Sequence, residues 1–464
     1  PAGMIDMANG RFTFKDADMA AVYCAMTNAA FPAFTGENAL RTSVVKPSGA
    51  PEYVWATFKT AQTGIGEIVL LTNKPGTDVY IDWAGDGVLE PYMLDGQRNI
   101  FEVPVTAGAE VKCYSLTAEP ALTGVSFGVG NLSQADFSPL TKLTFFSLMG
   151  SKIGDANIKL PEAPSMSELR LQNADLTTIA PIATKYPRLT MLDVSFNDLK
   201  TLDVTSFKSL ALLYAAYSNL DEVTLDNPRL WNLELSGNNL DHIDLSKVPA
   251  LDQIFLLDNK FRTLDLSQAP LLEVVYINNN YFDFTTLPAD NGYKVYEYAN
   301  QAEFQVEPKD GIVDLSSQLK IGDYTTTYTW YDGNPGLDTE GNFNGTPLAE
   351  DYFTIKDGVT TFLKDAYGVV CVMQNEAFPK LALMTPMLDV TAAGVADVAI
   401  DATGAAHVDG NNIVVRAAQG TPVTLTDLGG RVMGTADGNT TFGPLANGVY
   451  IARVGADTFK LLVK

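Results

Sequence analysis

From Leu122 onward the chain repeats the pattern LxxLxLxxNxL, with first positions at Leu122, Leu143, Met166, Leu189, Leu210, Leu230, Leu251 and Leu272. The intervals are 21, 23, 23, 21, 20, 21 and 21 residues, and the clearest copy is LWNLELSGNNL, from Leu230 to Leu240. A second short motif (ADFS, LDV, VTL, IDLS, LDLS) follows 13 residues after most starts. A unit this short cannot bury its own apolar face, so consecutive units must stack on one another. Each LxL predicts one short strand, and the copies predict a parallel sheet whose leucines enter a shared core. Eight such strands at about 4.8 Å spacing make a sheet roughly 35 Å along its axis. The Asn position is expected to bond backbone groups that a buried turn would otherwise leave without partners. Asn197, Asn238, Asn259 and Asn280 occupy it, whereas Gly130, Ser151, Ala174 and Ser218 weaken it, so the N-terminal half should be less regular.

This pattern resembles the leucine-rich repeat, which implies a solenoid whose concave sheet carries the side chains between the leucines. One predicted column holds Ser126, Ser147, Arg170, Asp193, Tyr214, Glu234, Phe255 and Tyr276. The adjacent column holds Gly124, Phe145, Glu168, Met191, Leu212, Asn232, Gln253 and Val274, with Phe196, Tyr217 and Leu257 further along. So much apolar and aromatic surface on one face marks a partner-binding patch, unless neighbouring modules cover it or the side chains pack on each other. The candidate contacts are Phe145, Arg170, Met191, Asp193, Leu212, Tyr214, Tyr217, Glu234, Phe255 and Tyr276.

Residues 49–118 read as short strands with regular turn signals, as in a β-sandwich. VYIDWAGDGVLEPY resembles the strand and turn of PKD-like sandwiches, and this module should cap the first repeat. Asp82, Asp86 and Glu90 are spaced four apart, which invites calcium; Asp-Gly turn chemistry accounts for them more simply, and no metal site is assigned.

One passage is written twice. VYCAMTNAAFP, from Val22 to Pro32, matches VVCVMQNEAFP, from Val369 to Pro379, at 7 of 11 positions. Alternating apolar residues make each a strand with one buried face. Upstream of the second copy, TTTYTWYDG places Trp330 on another strand. Trp330 with the inward Cys371 resembles the core of an immunoglobulin-like sandwich, here without an inter-sheet disulfide. The first copy lacks the Trp strand, so residues 1–48 are expected to be the rear half of such a sandwich. At the other end, Asp427, Gly430, Arg431, Leu445, Gly448, Val449, Tyr450 and Lys460 resemble the C-terminal sorting domain of the type IX (Por) secretion system of Bacteroidetes. That resemblance implies export and display on, or release from, the cell surface.

The expected fold is mainly β and multidomain, with β-sandwich modules flanking a leucine-rich repeat solenoid. Its segments are 1–48, 49–118, eight repeats over 119–290, an Ig-like sandwich over 291–390, and the sorting-type domain over 391–464. The chain has 464 residues and a net charge of −24, a surface that repels nucleic acid and anionic lipid. No run of 18 apolar residues exists to form a transmembrane segment. Cys24, Cys113 and Cys371 are expected as lone buried thiols. His242 and His407 fall in different modules, and no phosphate loop or paired-cysteine motif is present, so neither catalysis nor a cofactor is expected. The reading is adhesion or recognition of a macromolecule at a bacterial surface. Glycan capture on the same aromatics, or a structural spacer, are the alternatives.

Overall fold

The computed structural model describes residues 51–128, 131–338, 342–392 and 404–463. Within residues 1–50 it describes only the strands Ile5–Ala8, Arg11–Phe14, Ala25–Met26 and Leu40–Arg41. The half-sandwich expected over 1–48, with Cys24, otherwise lies outside the described residues, as does Gly130.

The repeats form a solenoid. Leu122–Gly128 opens a ladder of parallel strands that continues through Phe145–Ser147, Glu168–Arg170, Met191–Asp193, Leu212–Tyr214, Asn232–Glu234, Gln253–Phe255, Val274–Tyr276 and Val295–Glu297. The central residue of each rung points inward; Val125, Phe146, Leu169, Leu192, Leu213, Leu233, Ile254, Val275 and Tyr296 are all buried. Each such side chain contributes roughly 1.5–3 kcal/mol on leaving water.

The last rung is a ninth coil that the leucine pattern does not reveal. Tyr293, Tyr296 and Tyr298 stand where leucines are expected, and Gln301 stands in the Asn position. Gln301 Nε2 donates to the carbonyls of Ile277 (3.0 Å) and Tyr298 (2.7 Å), while its Oε1 accepts the amide of Asn280 (3.1 Å). The tyrosines serve the junction with the next module. Tyr298 meets Phe378 edge-on at 5.7 Å, and Lys380 Nζ donates to Tyr296 O at 3.0 Å. Phe378 and Lys380 belong to and adjoin the second copy of the echoed passage, which therefore forms the joint.

The asparagines behave as their chemistry requires. Asn238 Oδ1 accepts the amides of Ser218 and Leu220 (both 3.0 Å). Its Nδ2 donates to the carbonyls of Ala215 (2.9 Å), Leu235 (2.8 Å) and Ser236 (3.3 Å). Asn197, Asn259 and Asn280 repeat the arrangement.

At the N-terminal end both sheets of the preceding module run into the solenoid. Gly64–Thr72 pairs antiparallel with Leu122–Gly128 and carries Arg98–Val105 on its far side, extending the concave sheet to 11 strands. Tyr53–Thr60 pairs with Leu132–Asp136 on the outer side of the first coil. The leucine edge is thereby covered. Asp82 caps a turn here: its carboxylate accepts the amides of Gly85 (2.8 Å), Asp86 (3.2 Å) and Gly87 (3.0 Å).

After the solenoid, two sheets enclose Trp330, which meets Phe362 edge-on at 4.9 Å and donates to Thr360 Oγ1 at 3.1 Å. Trp330 lies directly opposite Cys371 on the neighbouring strand. One apolar core runs from Trp55 to Val390, and residues 404–463 build a separate core between sheets of three and four strands. Cys113 and Cys371 are free and buried, and burial pushes both thiols well above their ordinary pKa.

Candidate recognition face

Strand register decides which side chains share a file. Ser147, Arg170, Asp193, Tyr214, Glu234, Phe255, Tyr276 and Glu297 lie side by side on the concave sheet. Phe145, Glu168, Met191, Leu212, Asn232, Gln253 and Val274 form the parallel file two residues away. Nine of the ten candidate residues therefore fall on two adjacent files, and the tenth, Tyr217, stands on the rim just beyond them.

Their accessibility differs. Arg170 is exposed, and Phe145, Met191, Leu212, Tyr214, Glu234, Phe255 and Tyr276 are half-buried. Asp193 is only 4% exposed. Its carboxylate accepts the Ser195 amide at 3.1 Å and a bond from Gln172 Nε2. Burial pushes the Asp193 pKa up, against the pull of those bonds and of Arg170. Arg170 is itself engaged: its Nε donates to Glu168 Oε1 at 2.7 Å, and its guanidinium carbon lies 5.9 Å from the Phe145 ring centroid. Glu234 accepts the Ser236 amide at 2.8 Å, and burial raises its pKa as well. The charges on this face are thus largely satisfied within the ladder, and the rings are what it presents. Phe255 and Tyr276 stack with centroids 5.1 Å apart.

The rim carries a second ring pair that spacing does not distinguish. The residue before each Asn position turns the chain through the left-handed region, where Gly, Asn and Asp are at ease. Asn173, Gly237, Asp258, Asn279 and Asn300 follow that chemistry. Phe196 (φ 59°) and Tyr217 (φ 51°) do not. Their rings stack on one another at 5.3 Å and 12°, yet they remain 56% and 51% exposed. Tyr217 lies over Gly237, where a Cβ would come within 2.3 Å of the ring. The sequence signal was present: bulky aromatics at a position that elsewhere holds Asn, Asp or Gly.

Among the described residues no three His, Cys, Asp or Glu side chains group as a metal site requires. His242 lies on the solenoid flank and His407 in the strand Gly404–Asp409.

No protein-family model matches the chain, and no curated protein matches it. Among solved structures, the functional domain of InlJ from Listeria monocytogenes, described as including a cysteine ladder, is similar over 56% of this chain at 19% identity, with a TM-score of 0.33. The match spans just under two thirds, 65%, of that domain. InlP from the same organism is similar over 58% of this chain and 88% of its own, at 16% identity and a TM-score of 0.29. The repeat architecture described above rests on the ladder itself.

Proposed function

We propose that this is a recognition or adhesion protein of a bacterial cell surface, gripping a macromolecular partner along the concave face and its rim. The observation that carries this reading is the Phe196–Tyr217 pair. Two aromatics hold a left-handed backbone, which costs roughly 1–2 kcal/mol per residue, to present stacked rings to water. Large exposed rings in fixed positions are typical anchors of protein interfaces. Tyr214, Phe255 and Tyr276 continue the apolar surface across the concave files, with Phe145, Met191 and Leu212 beside them; Arg170 and Glu234 lie among them and add selectivity of charge, whereas Asp193 is buried and serves the ladder.

Display outside the cell is supported by the tail. Asp427 Oδ1 accepts the Arg431 amide at 2.9 Å, Gly430 turns the chain at φ 76°, and Tyr450 donates to Ala446 O at 2.9 Å. These residues carry the resemblance to a sorting domain. Among the described residues no helix is long and apolar enough to cross a membrane.

The test is a binding screen of the intact chain against extracellular-matrix proteins, bacterial cells and a glycan array. Once a partner is found, the variants Phe196→Asn/Tyr217→Asn and Tyr214→Ala/Phe255→Ala should each weaken it by about tenfold or more, the loss expected for removing central anchors. Unchanged binding by both variants would sink the reading. A positive glycan array would move it to saccharide capture on the same rings.

A further inference from the structure

The flank of the solenoid, between its concave strands and its outer side, carries a column of polar residues at equivalent positions in successive coils. In the fourth to sixth coils these are Asp198, Asn219 and Asn239, and they close on one another. Asn219 Nδ2 donates to Asp198 Oδ1 and Asn239 Nδ2 to Asn219 Oδ1, both at 2.7 Å. Lys200 lies 3.3 Å from Asp198 and balances its charge. At the seventh coil the column changes character. Lys260 occupies the equivalent position, Arg262 lies two residues on, and Tyr281 follows in the eighth coil.

Three observations separate this place from an ordinary solvated face. Many lysines of the solenoid, such as Lys142, Lys159, Lys185, Lys208 and Lys294, pair with a carboxylate. Lys260 and Arg262 have no carboxylate within 4.0 Å among the described residues; Lys152, Lys247, Arg188 and Arg229 also have none, but only Lys260 and Arg262 stand two residues apart on one coil. The Arg262 guanidinium is held over the Tyr281 ring, its carbon 4.9 Å from the centroid, which orients a fork that would otherwise swing freely. Asp241, His242, Lys260, Arg262 and Tyr281 together line an open cavity of about 520 Å³. The lining also holds one carboxylate, Asp241, whose Oδ1 lies 2.6 Å from His242 Nδ1 and whose pKa is held down by His242 and, more weakly, by the Lys260 charge.

We propose that this cavity is a binding site for an oxyanion, the carboxylate or sulfate group of an acidic ligand. Arg262 takes two of its oxygens through the planar fork, and Lys260 supplies a second positive charge. The net charge of −24 does not forbid this. Charges more than about 8 Å away are largely screened at physiological salt, so the bound group responds chiefly to its immediate lining. The site lies on the flank rather than on the ring-bearing files, so it goes beyond the function proposed above and stands or falls separately from it.

The experiment is calorimetric titration of the intact chain with sodium acetate, sodium sulfate and polygalacturonate, at an ionic strength held constant with sodium chloride. Saturable binding of at least one probe is expected. Arg262→Gln and Lys260→Gln should each weaken it by about tenfold, as expected for loss of a charged hydrogen-bonding partner. Lys200→Gln, already paired on the same flank, should leave it unchanged. Circular dichroism should show all three variants folded, since the substituted side chains are exposed. Tighter binding of the polymer than of the free ions identifies an acidic saccharide as the source of the group; binding of the free ions alone identifies a small anion. Absence of saturable heat from all three probes overturns the proposal, as does equal binding by Arg262→Gln, Lys260→Gln and the parent chain. Neither of those results would touch a partner held through Phe196 and Tyr217.

Discussion

The first two coils of the solenoid and those from the fourth onward share a leucine core but satisfy their backbones differently. In the early coils the outer side is itself a sheet. Leu132–Asp136 lies between Ile158–Lys159 and Tyr53–Thr60, so neighbouring strands take up its amides and carbonyls. The Asn position is then dispensable in the second coil, where Ser151 Oγ has no partner; in the third coil, which has no outer strand among the described residues, Asn197 Oδ1 of the next coil accepts the Ala174 amide at 3.1 Å. From Asn197 onward the outer strands are brief, Thr201–Asp203 with Glu222–Thr224, and the bolts are Asn side chains buried in the turns, with Ser218 serving in the fifth coil by donating to Val194 O. The contrast teaches that stacked leucines set the coil, while its polar closure can come from a flanking module or from the repeat itself.

The sharpest way to break this comparison is at the bolts. Asn238→Ala leaves the amides of Ser218 and Leu220 and the carbonyl of Ala215 without a buried partner, while Leu235 O keeps Asn259 Nδ2 and Ser236 O keeps the Tyr217 amide; it should cost about 3 kcal/mol, read from urea denaturation. Ser151→Ala removes only an unpartnered hydroxyl and should stay within about 0.5 kcal/mol of the parent. Equal losses from the two would show that both halves depend on the same closure. Next in size is Gly237→Ala. It places a methyl group against the Tyr217 ring on a backbone at φ 68°, and should destabilise by about 1–2 kcal/mol.

Replacing the ring pair acts in the other direction. Phe196→Asn with Tyr217→Asn relieves two left-handed aromatics at the expense of one stack. It should raise the solenoid's melting temperature by about 2 °C while abolishing partner binding. A lower melting temperature would mean that the rings serve stability. The smallest effect is electrostatic. Burial raises the Glu234 pKa above 4.5, so the folded chain holds that proton more tightly than the unfolded one. Stability is therefore lost as pH climbs from 4.5 through the folded value. Glu234→Gln should gain about 1 °C near neutral pH and nothing below about pH 4, measured by thermal melts across pH.

Much of the ladder was legible because its period is enforced locally. Leucines every two or three residues and an Asn at a fixed offset are demands that each coil makes on its own residues. The ninth coil escaped because the same roles passed to Tyr296, Tyr298 and Gln301, which the adjoining module recruits through Phe378 and Lys380. On the concave face the two files were legible from alternation alone. Their chemistry was not: Asp193 and Arg170 look like free charges in the sequence, yet burial and Glu168 account for them once the strands are in register.

What this sequence determined by itself is the coil: the repeat length, the inward leucines, the asparagine bolts and the outward order of the side chains. Those follow from short-range geometry, in which period and polarity leave one packing. Tertiary structure decided how the ends are sealed, which charges stay available, and where rings from separate coils meet. Those outcomes depend on residues from different modules coming into contact, as Tyr298 does with Phe378 80 positions later, and no local pattern encodes that distance.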